Sequence, residues 1–95
     1  MLEGGLSQKP GVCTKSADGK WLLFPTAWAE APGREVAGSP KQKMTMAGCS
    51  EFCASKPDCV AWVNDENSFC RGYSVIPGSF VGNDANSIGV RVSAL

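Results

Sequence analysis

The five cysteines constrain this chain more than any other feature of its sequence. They are Cys13, Cys49, Cys53, Cys59 and Cys70, in a chain of 95 residues. A chain of this length forms one domain, and it buries only a little over ~60% of the surface that its unfolded state exposes. Small secreted domains compensate for so modest a core with disulfides. The sequence therefore predicts one disulfide-stapled domain from an oxidising compartment.

The spacing of the cysteines leaves their pairing open. Their number is odd, so at least one thiol is free or is paired with a cysteine of another chain. A cysteine-only zinc site is the alternative to disulfides, but structural zinc sites usually contain tight Cys-x-x-Cys pairs. The last four cysteines are instead separated by three, five and ten residues. We therefore expect disulfides and no metal.

Composition argues against several classes of function. Nine basic and nine acidic side chains give a net charge of zero, whereas a nucleic-acid-binding surface needs an excess of Lys and Arg. The sequence has no histidine, which is the usual general base, and no Cys-x-x-Cys redox pair. We expect a protein that is not an enzyme, needs no cofactor and does not bind nucleic acid.

The hydropathy pattern predicts neither a membrane span nor a signal peptide. The longest apolar cluster is Trp21-Leu22-Leu23-Phe24, which Pro25 interrupts far short of the ~20 residues of a membrane helix. The first residues lack the basic start and apolar stretch of a secretion signal. For an extracellular or lumenal domain, this suggests a mature fragment or a recombinant domain of a longer precursor.

Local patterns predict an α+β fold, with one helix packed on a short-stranded antiparallel sheet. Residues 1–12 have the composition of a flexible lead-in, and residues 13–95 form the domain. Thr45 is a suitable N-cap for a helix that should end near Lys56, because Pro57 disfavours helical geometry there. Strands are predicted within residues 19–29, 59–63, 68–73 and 88–92, with a turn at 64–67 and loops at 30–43 and 74–86.

The helix and hairpin region resembles the PAN/apple family. The resemblance lies in Cys49-Ser-Glu-Phe-Cys53-Ala-Ser-Lys-Pro-Asp-Cys59-Val-Ala-Trp62, followed by Phe69-Cys70-Arg71-Gly72-Tyr73. In that family two helix cysteines precede a third that leads into a Cys-x-Ala-aromatic strand, and a fourth follows soon after. The resemblance covers residues 45–73. It implies the pairs Cys49–Cys70 and Cys53–Cys59, and an extracellular role in binding proteins or glycans.

Cys13 departs from the pattern of that family. In fuller apple domains an early cysteine pairs with one near the C-terminus, but this sequence has no cysteine after Cys70. One interpretation of Cys13 is a buried free thiol. The other is a disulfide to a partner chain.

Three residues are candidates for a binding surface. Trp28 and Tyr73 are predicted to be the most exposed aromatic side chains because small or polar residues flank them. Arg71 could pair with a carboxylate of a ligand, or could simply face solvent. Trp62, within an apolar run, is predicted to lie in the core. Asp65 and Glu66 are interpreted as turn residues rather than as a calcium site or an acid–base pair.

Two functions from different classes fit these observations. The first is a non-catalytic module that binds a protein or a glycan. The second is a small accessory subunit docked covalently or tightly into a larger assembly. The unpaired Cys13, the aromatic-rich N-terminal third and the long loops at 30–43 and 74–86 favour the second, because long loops are uncommon unless they are functional or docked.

Overall fold

A computed structural model describes residues 13–65, 67–83 and 85–95 of the chain. The predicted lead-in, residues 1–12, lies outside the described residues, as does Glu66 of the predicted turn. The elements of the described part are, in chain order, β1 (Thr14–Lys15), β2 (Trp21–Phe24), β3 (Ala27–Trp28), α1 (Met46–Ala54), β4 (Ala61–Asn64), β5 (Cys70–Tyr73), β6 (Val81–Gly82), β7 (Ser87–Arg91) and a 3-10 turn (Val92–Ala94).

Strands from both ends of the domain meet in one sheet. Five strands are ordered β1-β2-β7-β4-β5, each antiparallel to its neighbours, and β3 pairs with β6 in a separate two-stranded sheet. The last strand lies at the centre, where Gly89 is the register partner of Leu23 on β2 and of Trp62 on β4. The predicted α+β class and the β4–β5 hairpin are confirmed. The two-residue strands β1 and β6 were not predicted.

Helix α1 begins at the predicted cap. The hydroxyl of Thr45 accepts a hydrogen bond from the N–H of Gly48 at 3.0 Å, which satisfies one of the free donors of the first turn. The helix ends at Ala54, two residues before the predicted end, and the hydroxyl of Ser55 donates to the Phe52 carbonyl at 2.7 Å. Within the described ranges no helix is long and apolar enough to cross a membrane.

The five-stranded sheet has two apolar faces because successive side chains of a strand point to opposite sides. The side that α1 covers, here called the helix face, carries Trp21, Leu23 and Trp62. Two glycines of the sheet leave room on this face for the larger side chains that pack there. A Cβ on Gly72 would lie 2.7 Å from the sulfur of Cys59, and a Cβ on Gly89 would lie within 3.0 Å of three indole atoms of Trp62. Trp62 is fully buried, as predicted.

Two disulfides fasten α1 to the hairpin beneath it. They join Cys49 to Cys70 and Cys53 to Cys59, the pairs that the family resemblance implies, and all four residues are fully buried. Their sequence separations are 21 and 6 residues. By the loop-entropy relation these cross-links stabilise the domain by about 3.4 and about 2.4 kcal/mol.

Arg91 ties the central strand to the end of the helix. Its Nε donates to the carbonyl of Cys59 at 2.8 Å, and its Nη2 donates to the carbonyls of Cys53 at 3.0 Å and Lys56 at 3.4 Å. The guanidinium also lies 5.1 Å from the ring centroid of Trp21. A positive charge at the C-terminal end of a helix is favourable, because the last carbonyls have no partners within the helix.

The opposite side of the sheet, here called the loop face, is covered by the predicted loops. Phe24 of the sheet packs edge-to-face on Phe80, with ring centroids 5.0 Å apart. Residues 34–41 run along the outer edge of β5: the N–H of Val36 donates to the carbonyl of Gly72, and Lys41 and Cys70 exchange two backbone hydrogen bonds. The long loops therefore dock on the sheet of their own domain.

Candidate binding pocket

A cavity of about 280 Å³ opens on the loop face next to β5, and it contains all three residues that the sequence selected. Its lining includes Trp28, Arg71 and Tyr73, together with Val63 of β4 and two glutamates, Glu30 and Glu35. Trp28 is more than forty residues away from Arg71 and Tyr73 in the chain, and the fold brings the three candidates together at one site.

The strand pattern explains how these side chains converge. Arg71 and Tyr73 are two residues apart on β5, so both point to the loop face, while Cys70 and Gly72 point to the helix face. Trp28 comes from β3, where it pairs with Val81. Between them lies the segment 30–35, which a bridge between Glu35 and Tyr73 fastens to the edge of β5.

Tyr73 is buried, contrary to the prediction that it is exposed. Its side chain is 2% accessible, because the segment that follows β3 folds over β5. Burial, and then the charges of Glu35 and Glu30, raise the pKa of Tyr73 above its ordinary value, and the N–H of Ala31 acts in the opposite direction. The phenol is therefore neutral at pH 7. Its hydroxyl donates no hydrogen bond to another residue of the described ranges.

Arg71 has an acidic partner within the chain. Its Nη1 donates to Oδ2 of Asp65 at 2.9 Å, and its side chain is 35% exposed. The other oxygen of Asp65 accepts from the N–H groups of Asn67 at 2.9 Å and Phe69 at 3.0 Å. Burial of Asp65 favours its neutral form, but these hydrogen bonds and Arg71 outweigh it and lower the pKa of Asp65. Asp65 is the turn residue that the sequence predicted.

The two glutamates of the pocket have no such partner. Both are exposed, and within the part of the chain that the structure describes Arg71–Asp65 is the only ion pair. The charge of Arg71 is thus matched by Asp65, while the charges of Glu30 and Glu35 are left uncompensated. The sequence analysis did not select these glutamates, because nothing in the local pattern of residues 30–35 shows that this segment lies against β5.

A second cavity, of about 470 Å³, lies between α1 and the turn that joins β1 to β2. Apolar side chains such as Trp21, Leu23 and Met46 form much of its wall. Its charged lining is of mixed sign (Asp18, Lys20 and Glu51), Trp21 is only 4% exposed, and none of the three predicted binding candidates lines it. The cavity next to β5 is therefore the better candidate for a ligand site, and it is called the β5 pocket below.

Cys13 is exposed and unpaired, which corrects the interpretation of this residue as a buried thiol. It precedes β1, the outermost strand of the sheet, and so lies at the margin of the domain. Partial burial raises the pKa of the Cys13 thiol. The reactive thiolate is therefore a small fraction at neutral pH.

No protein-family model matches this chain, and no curated protein matches it.

Proposed function

We propose that this domain is a non-catalytic binding module that recognises a protein or a glycan through the β5 pocket. The observation that carries the proposal is the convergence of Trp28, Arg71 and Tyr73 on one open cavity. Ligand sites are concave, combine apolar and aromatic walls with a few polar groups, and are usually formed before the ligand arrives. The β5 pocket has each of these properties.

The framework around the pocket supports a role in recognition. The disulfide Cys49–Cys70 holds β5 against the helix, so the strand that supplies Arg71 and Tyr73 is anchored covalently at its first residue. Cys53–Cys59 fastens the same helix to the segment that leads into the neighbouring strand β4. A rigid site loses little conformational entropy when it binds a ligand. The resemblance to the PAN/apple family points to the same kind of function, by analogy of pattern.

We place this activity in an extracellular or lumenal compartment. Disulfides persist where thiols are not kept reduced, and two of them are buried in the core of this domain. A module of this kind is usually one unit of a larger secreted protein.

The decisive experiment compares the wild-type domain with a variant of the pocket on two panels, one of printed glycans and one of purified ectodomains. Trp28→Ala removes the half-buried indole of the pocket. Leu95→Ala is the matched control, because it removes a large apolar side chain that is 60% exposed and lies at the other end of the chain. Thermal unfolding of both variants checks that each is folded.

We expect the wild type and Leu95→Ala to bind the same probe, and Trp28→Ala to lose at least tenfold in affinity, as aromatic anchors of interfaces commonly do. Equal binding by folded Trp28→Ala would place the function elsewhere on the domain. If folded wild-type protein bound nothing on either panel, the proposal would be wrong.

One observation favours the second function, that of an accessory subunit. Cys13 is exposed at the edge of the sheet, where a cysteine of another chain could reach it. A non-reducing peptide map of the protein from its native source, with free thiols alkylated first, tests this directly. A Cys13 peptide linked to a foreign peptide would identify the partner, whereas an alkylated Cys13 would leave the binding module as the better proposal.

A further inference from the structure

We infer that the β5 pocket is selective for a cationic side chain, the ammonium of a lysine or the guanidinium of an arginine on a partner protein. This inference rests on the proposed function and goes further, because it names the chemical group that enters the pocket. It follows from three features of the pocket: its uncompensated carboxylates, its aromatic walls and its dimensions.

The electrostatic argument begins with the charges that line the cavity. Glu30 and Glu35 carry negative charges without partners in the described ranges. Arg71 is the cation of the lining, and the carboxylate of Asp65 lies 2.9 Å from its Nη1. The charges of the pocket and its immediate neighbours therefore favour a positively charged ligand and disfavour an anionic one.

The aromatic side chains add a second, independent preference. The indole of Trp28 is half-buried at the wall, and tryptophan is the best aromatic partner of an ammonium or guanidinium group. The hydroxyl of Tyr73, itself almost fully buried, donates no hydrogen bond to a described residue, and its pKa responds to Glu35, Glu30 and Arg71. Its oxygen therefore lies within the electrostatic reach of the charges that line the pocket.

The shape of the pocket favours a side chain over a larger ligand. Its volume of about 280 Å³ lies just below the ~300–1,000 Å³ of pockets for drug-sized ligands, and the glutamates that line it are exposed to solvent. A lysine or arginine side chain could place its apolar stem against Trp28 and its charged head near the carboxylates.

The test uses isotope-labelled domain and small probes, with the indole N–H of Trp28 followed by nuclear magnetic resonance. The cationic probes are N-α-acetyl-lysine amide and N-α-acetyl-arginine amide. The neutral control is the same lysine probe acetylated on its side chain, which keeps the stem but removes the charge. Methyl glycosides of common neutral sugars, including N-acetylglucosamine, form the second set of probes.

We expect a saturable shift of the Trp28 indole resonance with the lysine or arginine probe. The affinity of the acetylated probe should be at least about fivefold lower, since it loses both the charge–charge and the cation–π contributions. Added salt should weaken the binding of the cationic probes, because the glutamates are exposed.

Two matched variants separate the effect of the carboxylates in the pocket from the effect of the net charge of the domain. The double variant Glu30→Gln, Glu35→Gln removes both carboxylates of the pocket, and should weaken the cationic probe by roughly three- to tenfold. Glu51→Gln removes an equally exposed carboxylate from α1, on the opposite side of the sheet, and should leave binding unchanged. Gln retains the size and polarity of Glu, so folding is expected to be preserved in both variants.

Several results would overturn the inference. They are equal binding of the acetylated probe, an unchanged affinity in the double variant, and a preference for a glycoside over the cationic probes. The failure of this inference is distinguishable from the failure of the proposed function. If a panel ligand loses affinity in Trp28→Ala but the cationic probes do not bind, the pocket is a ligand site with a different specificity.

Discussion

Replacing Gly89 with alanine should destabilise the domain severely, although alanine is the better residue for a strand by intrinsic preference. Gly89 lies in the central strand β7, between Leu23 of β2 and Trp62 of β4. Its backbone is not in the left-handed region, so the conformation itself allows alanine. On conformational entropy alone, the change would stabilise the strand by ~0.5–1 kcal/mol.

The tertiary structure reverses that expectation. The new methyl group would lie within 3.0 Å of Cε2, Nε1 and Cζ2 of the Trp62 indole, closer than real Cβ contacts. The indole is fully buried under α1, and the ring centroid of Trp21 is 6.4 Å away, so it has little room to move. Overpacking of a filled core costs about 1–3 kcal/mol, and complete loss of a buried aromatic side chain costs about 3–5 kcal/mol. We expect a loss of about 3 kcal/mol.

The assay is urea unfolding without reductant, followed by circular dichroism so that the signal does not depend on Trp62 alone. A domain of this size has a total free energy of unfolding of about 5–14 kcal/mol, so a loss of about 3 kcal/mol is a large fraction of it. With a slope of about 1–3 kcal/mol per molar urea, the midpoint should fall by at least about 1 M. Gly78→Ala is the matched control, because a Cβ there meets nothing within 4 Å.

A second substitution distinguishes a clash from a general effect on the strand. Trp62→Phe removes the outer part of the indole that the new methyl group would meet, including an Nε1 that has no hydrogen-bond partner in the described structure. Gly89→Ala should therefore cost at least about 1 kcal/mol less in the Trp62→Phe background, as residues in contact usually couple by 0.5–3 kcal/mol. Additive effects, or a Gly89→Ala variant as stable as Gly78→Ala, would refute the reasoning.

Three further predictions concern charged and titratable groups. Arg91→Lys should lower the free energy of unfolding by about 2 kcal/mol, because lysine cannot donate to three carbonyls at once as the guanidinium does. The control is Arg34→Lys at an exposed position, which should change the free energy of unfolding by less than ~0.5 kcal/mol in the same urea assay. Because the pKa of Asp65 is lowered in the folded state, ionised Asp65 stabilises the fold above the ordinary pKa of an aspartate. That stabilisation is lost as the pH falls through the lower pKa of the folded state, so the stability difference between the wild type and Asp65→Asn should shrink below about pH 4. Tyr73 is the only tyrosine, so tyrosinate absorbance should report its titration alone, with a midpoint above the ordinary value of ~10. Glu35→Gln should lower that midpoint, because it removes one of the negative charges that raise the pKa of Tyr73.

The raised pKa of Tyr73 also affects the stability of the fold at alkaline pH. Its raised pKa means that the unfolded chain loses the phenolic proton first as pH rises, so the contribution of Tyr73 to stability falls between its ordinary pKa and its folded pKa. Circular dichroism must show that the domain is still folded across the titration. A midpoint at the ordinary value in the folded state would contradict the burial of Tyr73. The prediction for Arg91 is contradicted if Arg91→Lys has the same free energy of unfolding in urea as the wild type. The prediction for Asp65 is contradicted if Asp65→Asn is as stable as the wild type across the acid range.

The elements that could be predicted from sequence are those with short-range signals. Thr45 caps α1 through a hydrogen bond to Gly48, three residues away, and the apolar run around Trp62 forms a buried strand. Short-range signals failed for Tyr73, whose neighbours Gly72 and Ser74 suggested exposure. The segment that buries it comes from about forty residues earlier in the chain, and no pattern around Tyr73 indicates that it is there.

The sequence by itself determined the α+β class, the helix start, the hairpin and, through the resemblance of its cysteine block, the two disulfide pairs. Those features depend on residues that are close in the chain, where capping, alternation and loop closure act. Only the tertiary structure decided that Glu30 and Glu35 meet Trp28 and Tyr73 in one pocket, or that Gly89 makes room for an indole. The physical reason is that these contacts depend on strand order and register, which bring distant residues together without any local signature.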